Sequence, residues 1–475
     1  MRKHAVKAGF TGAAETPAAI ADLVARARAA MGAFAAADQG RIDDAVRALA
    51  WALYKPANAR ALAELAVRDT GLGNVADKIV KNRRKTFGTL RDLLRVRTVG
   101  VIEERPGLVL YAKPVGVVGA ITPSTNPAAT PVNKAMMAIK GRNAVIIAPA
   151  PAGWATTART VGLCRAELEK IGLPPDLVQI LPEPITRQAT KALMAAVDLV
   201  VCTGSQANVR AAYSSGTPAI GVGTGNVPVI VDSSADLSDA AAKICRSKVF
   251  DNATSCSSEN ALVILGDVYD GAIEALKVEG GYLADSAERG RIARSLWRNG
   301  KLNRDLIAKD APVFAAGAGL APEAAQARFF MVEETGIGPA YPFSGEKLSL
   351  VLSLYRAGDF AEAKRIVRDL LEHQGAGHSV GIHTAEVDHA RELAEELEVV
   401  RVLVNQAHTF GNGGSFDNGL NFTLSMGCGT WGGNSISANL NWRNFINVTH
   451  LVTTIPEDRP SEEDLFGTYW AKYGK

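Results

Sequence analysis

Cys256 lies in the run Phe250-Asp251-Asn252-Ala253-Thr254-Ser255-Cys256-Ser257-Ser258-Glu259-Asn260, a single thiol among small hydroxyl and amide side chains. A thiolate attacks carbonyl carbon well and leaves a thioester that a second thiol can break. Small neighbours keep the sulfur approachable. The run alone also suits a buried, inert cysteine, so its weight comes from the rest of the chain.

Other chemistry-bearing residues are scattered. Asn126, in Ile121-Thr122-Pro123-Ser124-Thr125-Asn126-Pro127, reads by itself as a turn or helix-entry residue. Gly221-Val222-Gly223 suggests a phosphate fingerprint, but it leads into the strand-like Val229–Val231 instead of opening a helix. Its sixth position is Asn226, so GxGxxG is not completed and a standard Rossmann fingerprint is rejected. Glu259, before the apolar run Ala261–Leu265, suits a solvated or backbone-capping role better than that of a base. Glu346 in Gly345-Glu346-Lys347 is by itself an ordinary surface pair. His378 and His383 are five apart and face opposite ways on a strand, so no shared metal is expected. His408 lines the mouth of a substrate site or sits on a surface loop, and Cys428 reads as packing.

Four segments, taken together, resemble the aldehyde dehydrogenase superfamily and within it the CoA-acylating branch. They are Ile121–Pro127, Gly221-Val222-Gly223-Thr224-Gly225-Asn226-Val227-Pro228, the Cys256 run, and Gly427-Cys428-Gly429-Thr430-Trp431-Gly432-Gly433-Asn434-Ser435. The resemblance implies that Cys256 is the nucleophile, and that its backbone N–H and the Asn126 amide receive the oxyanion. It also implies that a dinucleotide, NADP or NAD, lies against Thr122, Pro123, Ser124, Thr203, Gly204, Ser205, Gly221, Gly223 and Glu346, with coenzyme A as co-substrate. Hydrolytic members carry a glutamate at the place matched here by Gly221. A glycine there leaves water without a base, so the thioester waits for the thiol of CoA. Thr203-Gly204-Ser205 equally suits a plain strand-to-helix turn with Ser205 as N-cap. The run Ala148-Pro149-Ala150-Pro151 lacks the family's usual lysine and the carboxylate that repels a 2′-phosphate, which leaves NADP permitted. The stretches Ser415–Gly419 and Asn441–Phe445 look most like members acting on small anionic aldehydes: sulfoacetaldehyde first, then succinate semialdehyde, then acetaldehyde. A reductase of acyl phosphates on the same fold and a non-catalytic scaffold are the rival readings.

The elements that must position these residues follow from periodicity. Apolar spacing of three and four predicts helices over Ala18–Ala37, Gly40–Tyr54, Asn58–Thr70 and Ala76–Leu94. From Val117, short apolar runs (Val117–Ile121, Ala144–Ala148, Leu177–Leu181, Leu199–Cys202) alternate with helical stretches, as in a buried parallel sheet. A second such series starts near Val229 and includes Leu348–Leu354, Ser379–Ile382 and Val402–Val404. Val99–Lys113, with the turn signal Arg105-Pro106-Gly107, predicts a hairpin, and Phe445–Thr454 a further strand. The expected fold is α/β and aldehyde dehydrogenase-like, with two α/β domains on parallel sheets plus a small β oligomerisation arm. Residues 1–97 and 117–227 are assigned to dinucleotide binding, 228–425 to the catalytic domain, and 98–116 with 440–460 to the arm. The arm predicts a homodimer or homotetramer.

The bulk properties narrow the class. At 475 residues, 47% apolar and 21% charged, the chain reads as a multi-domain globular protein. A net charge of +3 without a basic block argues against nucleic acid as partner. Five widely spaced cysteines with no CxxC pair argue against a disulfide framework or structural zinc. No run is long and apolar enough to span a membrane, and no apolar stretch follows Met1-Arg2-Lys3-His4 as a secretory leader requires. A cytoplasmic setting is expected.

Overall fold

The computed structural model describes residues 15–475; the Met1–His4 start, on which the leader expectation rests, lies outside them. Two parallel sheets carry the molecule. The first has five strands in the order Val178–Ile180, Ala144–Pro149, Val117–Thr122, Leu199–Thr203, Ala219–Val222. The second has seven: Gly281–Leu283, Phe329–Glu333, Val351–Ala357, Glu259–Leu265, Val227–Val231, Val380–His383, Val402–Val404. Its central strands bury alternate residues on opposite faces. Val229, Val231, Leu262 and Ile264 join one apolar cluster, and Ile230, Ala261 and Val263 another.

The antiparallel arm pairs Gly100–Arg105 with Leu108–Pro114, and the latter with Ile446–Val452. The hairpin turn is Pro106-Gly107, where Gly107 takes a positive φ of 76°. The expected hairpin and late strand therefore lie in one sheet.

Among the described residues four helices precede the arm: Glu15–Phe34, Gln39–Tyr54, Pro56–Thr70 and Val75–Leu94. Asp38 and Asn74 cap two of them, accepting from the N–H groups of Arg41 and Asp77 at 2.8 Å. The fourth departs from expectation. Its inward face carries Lys78, Lys81, Asn82, Lys85, Thr86 and Thr89, while Val80 and Phe87 are exposed. The helix is present, but its buried stripe is polar.

Between Tyr269 and Glu333, where periodicity had suggested no element, lie the helices Tyr269–Val278, Ser286–Leu296 and Ala311–Ala318 and two strands of the second sheet. The strand expected at Leu348–Leu354 runs Val351–Ala357, because Leu348 has a φ of +43° and breaks the extended run.

Candidate active site

The link Gly223–Asn226 carries the chain from the last strand of the five-stranded sheet into the seven-stranded one, and a cleft of about 330 Å³ opens beside it. Loops at the C-terminal ends of the first sheet's strands supply Pro123, Thr125, Asn126, Thr203, Gly204 and Ser205. Strand order reverses between Val117–Thr122 and Leu199–Thr203, the place where open parallel sheets bind ligands. From the second sheet come Cys256, just before Glu259–Leu265, and Glu346, just before Val351–Ala357.

Cys256 is held by an unusual turn. Asp251, Asn252 and Ala253 take φ of 52°, 54° and 58°, three consecutive left-handed residues without a glycine. Such residues cost about 1–3 kcal/mol each and persist only where their surroundings fix them. Asp251 does much of that fixing. Its Oδ2 accepts from Lys81 at 2.5 Å, Lys78 at 3.0 Å and the Thr254 hydroxyl at 2.8 Å, and Oδ1 accepts from the Asn74 N–H at 3.0 Å. Gly73 must be glycine here, since a Cβ would collide with the Asp251 carboxylate.

Cys256 as a residue is half-buried. Its pKa is pushed up to about 12 by burial, with Glu346 and Cys428 adding to the rise and Arg401 opposing it. The resting group is therefore a thiol. Within the described residues the Cys256 backbone N–H makes no hydrogen bond, and the Asn126 amide makes only a long one, 3.4 Å to Thr125 Oγ1. Asn126 Oδ1 is buried without a partner. Asn126 is also a helix-entry residue: its carbonyl accepts from the Thr130 N–H at 3.2 Å.

Glu346 is the sole carboxylate on the cleft wall among the described residues. Burial raises its pKa to about 8, although the Gly225 N–H bonded to it works the other way.

Several expected site residues stand elsewhere. Thr122 and Ser124 flank Pro123 without lining the cleft. Gly221 lies inside the strand Ala219–Val222, and a Cβ there would point at Val209 and Tyr213, 2.7 and 3.0 Å away, not at the thiol. The positions of that segment on the cleft wall are Gly223 and Thr224, neither acidic. Gly225 lies so close to the Cys256 carbonyl that a side chain would collide with it.

Glu259 is not solvated: it is buried, with its carboxylate accepting from the His408 N–H at 3.1 Å, which is the capping half of the expectation. His408 is neither at the mouth nor on the surface. It is buried, its Nε2 2.9 Å from Ser379 Oγ, which in turn lies 2.7 Å from His378 Nδ1. Sequence reasoning missed Lys81, Arg84 and Lys85, all on the cleft wall. Their signal was a basic residue every third or fourth position on one helix.

The family model for the aldehyde dehydrogenase family matches residues 7–280. A sulfoacetaldehyde dehydrogenase (acylating) from Cupriavidus necator is 56% identical over 460 residues, covering 96% of this chain and 93% of its own. The chain belongs to the aldehyde dehydrogenase family. Another sulfoacetaldehyde dehydrogenase (acylating), from Bilophila wadsworthia, is 45% identical to this aldehyde dehydrogenase, covering 92% of this chain and 95% of its own. The crystal structure of an acetylating aldehyde dehydrogenase from Geobacillus thermoglucosidasius superposes with a TM-score of 0.90 at 34% identity, covering 94% of this aldehyde dehydrogenase and 99% of that chain.

Proposed function

We propose that this aldehyde dehydrogenase is CoA-acylating: aldehyde, CoA and NAD(P)+ give acyl-CoA and NAD(P)H, and the reverse. Its substrate is a small anionic aldehyde, sulfoacetaldehyde first and succinate semialdehyde second. The relatives' names support the substrate class. The observation that carries the acylating step is the wall beside the thiol, where Gly223 and Thr224 offer no carboxylate to activate water.

Cys256 adds to the aldehyde carbonyl, and its proton ends on the new oxygen of the thiohemiacetal. While that oxygen bears negative charge, the Cys256 N–H and the Asn126 amide, both without strong partners, receive it. A bound nicotinamide dinucleotide supplies the hydride acceptor. Loss of hydride and proton leaves a thioester on Cys256. The CoA thiol then attacks the acyl carbon, acyl-CoA departs, and the Cys256 thiol is restored.

The residues fit a dinucleotide. Pro123, Thr203, Gly204 and Ser205 border the strand-order reversal, and Gly204 has open space beside it, the nearest atom to an added Cβ being Asn208 Nδ2 at 3.9 Å. Ser205 also caps the helix Gln206–Tyr213, accepting from the Asn208 N–H at 3.3 Å. Glu346 takes the nicotinamide ribose. The run Ala148–Pro151 presents neither lysine nor carboxylate, so NADP is accepted as well as NAD.

No described helix is long and apolar enough to cross a membrane, and the five cysteines are free, which supports a reducing, cytoplasmic setting. The arm sheet supports a homodimer or homotetramer. The deciding assay is NAD(P)H formation with sulfoacetaldehyde, succinate semialdehyde and acetaldehyde, each with and without CoA. Steady turnover with the anionic aldehydes only when CoA is present is the expected result; CoA-independent turnover to free acid contradicts it.

A further inference from the structure

The cleft wall and the helix behind it hold more cations than the chain pairs with carboxylates. Lys78 and Lys81 share one carboxylate, that of Asp251. Arg84 donates to the Phe410 carbonyl at 3.1 Å and to Ser415 Oγ at 2.9 Å; no carboxylate is in ion-pair range among the described residues, and Asp417 offsets its charge only from farther off. Lys85 is buried and donates only to the Gly413 carbonyl, at 2.7 Å. An ammonium has three N–H donors, so two are left over. Burial, then Arg84 and Lys81, push its pKa well down, so an anion placed beside it would favour the charged form.

Two further details point into the same place. Thr409 Oγ1, also on the wall, is buried and has no hydrogen-bond partner. Gly413 leaves the room that Lys85 occupies, since a Cβ there would stand 2.5 Å from the ammonium nitrogen. The Ser415–Gly419 stretch, singled out in the sequence, thus supplies through Ser415 a partner for Arg84.

We propose that Lys85, with Arg84 beside it and the Thr409 hydroxyl, receives the acid group of the aldehyde while the carbonyl lies at Cys256. This rests on the acylating reading and names the residues that select its substrate. An acid group on a short aldehyde supplies the missing counter-charge and acceptor atoms together. A neutral aldehyde leaves the cations as they were, so the site discriminates by charge. Sulfonate and carboxylate share this chemistry, and their two aldehydes form separate arms of the test.

The test compares kcat/KM for sulfoacetaldehyde, succinate semialdehyde and neutral butanal, with CoA present, in wild type, Lys85→Met and Lys85→Arg. The preference for an anionic aldehyde over butanal is expected to fall about 100-fold in Lys85→Met, the scale for losing a desolvated charge partner, and to survive largely in Lys85→Arg. A wild type that prefers anionic aldehydes and a Lys85→Met variant with the same preference would overturn this inference and leave the acylating reading standing. A wild type without such preference sinks the anionic-substrate reading and this inference with it. Should Lys85→Met fail to fold, the wild type decides. Ethanesulfonate should slow alkylation of Cys256 by iodoacetamide at concentrations where 1-butanol does not, and equal effects of the two would overturn the site.

Discussion

Asp251 Oδ2 stands 2.5 Å from Lys81 Nζ, and through that contact the polar face of one helix is tied to the strained turn that presents the nucleophile. Burial alone would raise the Asp251 pKa, but Lys81 and Lys78 outweigh it and hold the carboxyl below its usual range. A depressed carboxyl contributes stability that is complete above its unfolded pKa and is lost as the pH falls through the folded value. Asp251→Asn should therefore destabilise the protein at neutral pH by about 3–5 kcal/mol, as when one partner of a buried pair is removed. The deficit should shrink toward acid. Denaturant unfolding at pH 7 and at about pH 2, below the unfolded carboxyl pKa of about 3.9, measures both, and equal stability of the two proteins at pH 7 would show that the tether carries no strain.

Asn126→Ala should lower kcat by about 10²–10³, roughly 3–4 kcal/mol, the cost of losing one oxyanion donor. Steady-state kinetics with CoA separate the roles: a raised KM with unchanged kcat makes Asn126 a positioning residue only.

The thiol should titrate late. With Cys256 pushed up to about 12, its alkylation rate should climb about tenfold per pH unit from 6 to 9 without levelling off. Glu346, held near 8 by burial, is neutral at pH 6 and charged at pH 9, where its charge opposes the thiolate. Glu346→Gln removes that charge, so it should speed alkylation at pH 9 and change it little at pH 6. Superimposable profiles would place Glu346 too far from the sulfur to matter.

Much of this was legible in the chain. Runs of Val, Ile and Leu marked buried parallel strands, and the cleft residues Cys256, Asn126, Thr203 and Glu346 sat in segments with a family likeness. Gly221 misled because a sequence match gives a position and not a direction: on a strand, one residue faces the helix and a near neighbour the cleft. The cationic wall was hidden for a different reason. The helix was expected from its apolar spacing alone, and only the tertiary fold shows that its lysines at 78, 81 and 85 face inward. For Glu259 the backbone-capping alternative holds and the solvated one does not, while His408 fits neither the mouth nor a surface loop, because each has a buried hydrogen-bond partner that polarity alone does not reveal.

The arm should make the protein a homo-oligomer. Ile446–Val452 pairs on one side with Leu108–Pro114, while its other edge is unpaired among the described residues and Leu451 and Val452 are exposed. Sedimentation should give a dimer or tetramer at micromolar concentration, shifted toward monomer by Leu451→Asp with Val452→Asp. A monomeric wild type contradicts this.

The central claim is that the acyl-enzyme partitions to CoA because Gly223 and Thr224, from the segment matched to the hydrolytic members' glutamate, provide no base for water, while Glu346 serves the nicotinamide ribose. Rapid mixing with sulfoacetaldehyde and NADP+ or NAD+, without CoA, tests it most directly. About one equivalent of NAD(P)H per active site should form, followed by near-arrest, with no burst in Cys256→Ala. Addition of CoA should then restore steady turnover and release a thioester. Sustained turnover to the free acid without CoA, at a rate comparable to that with it, would contradict the account.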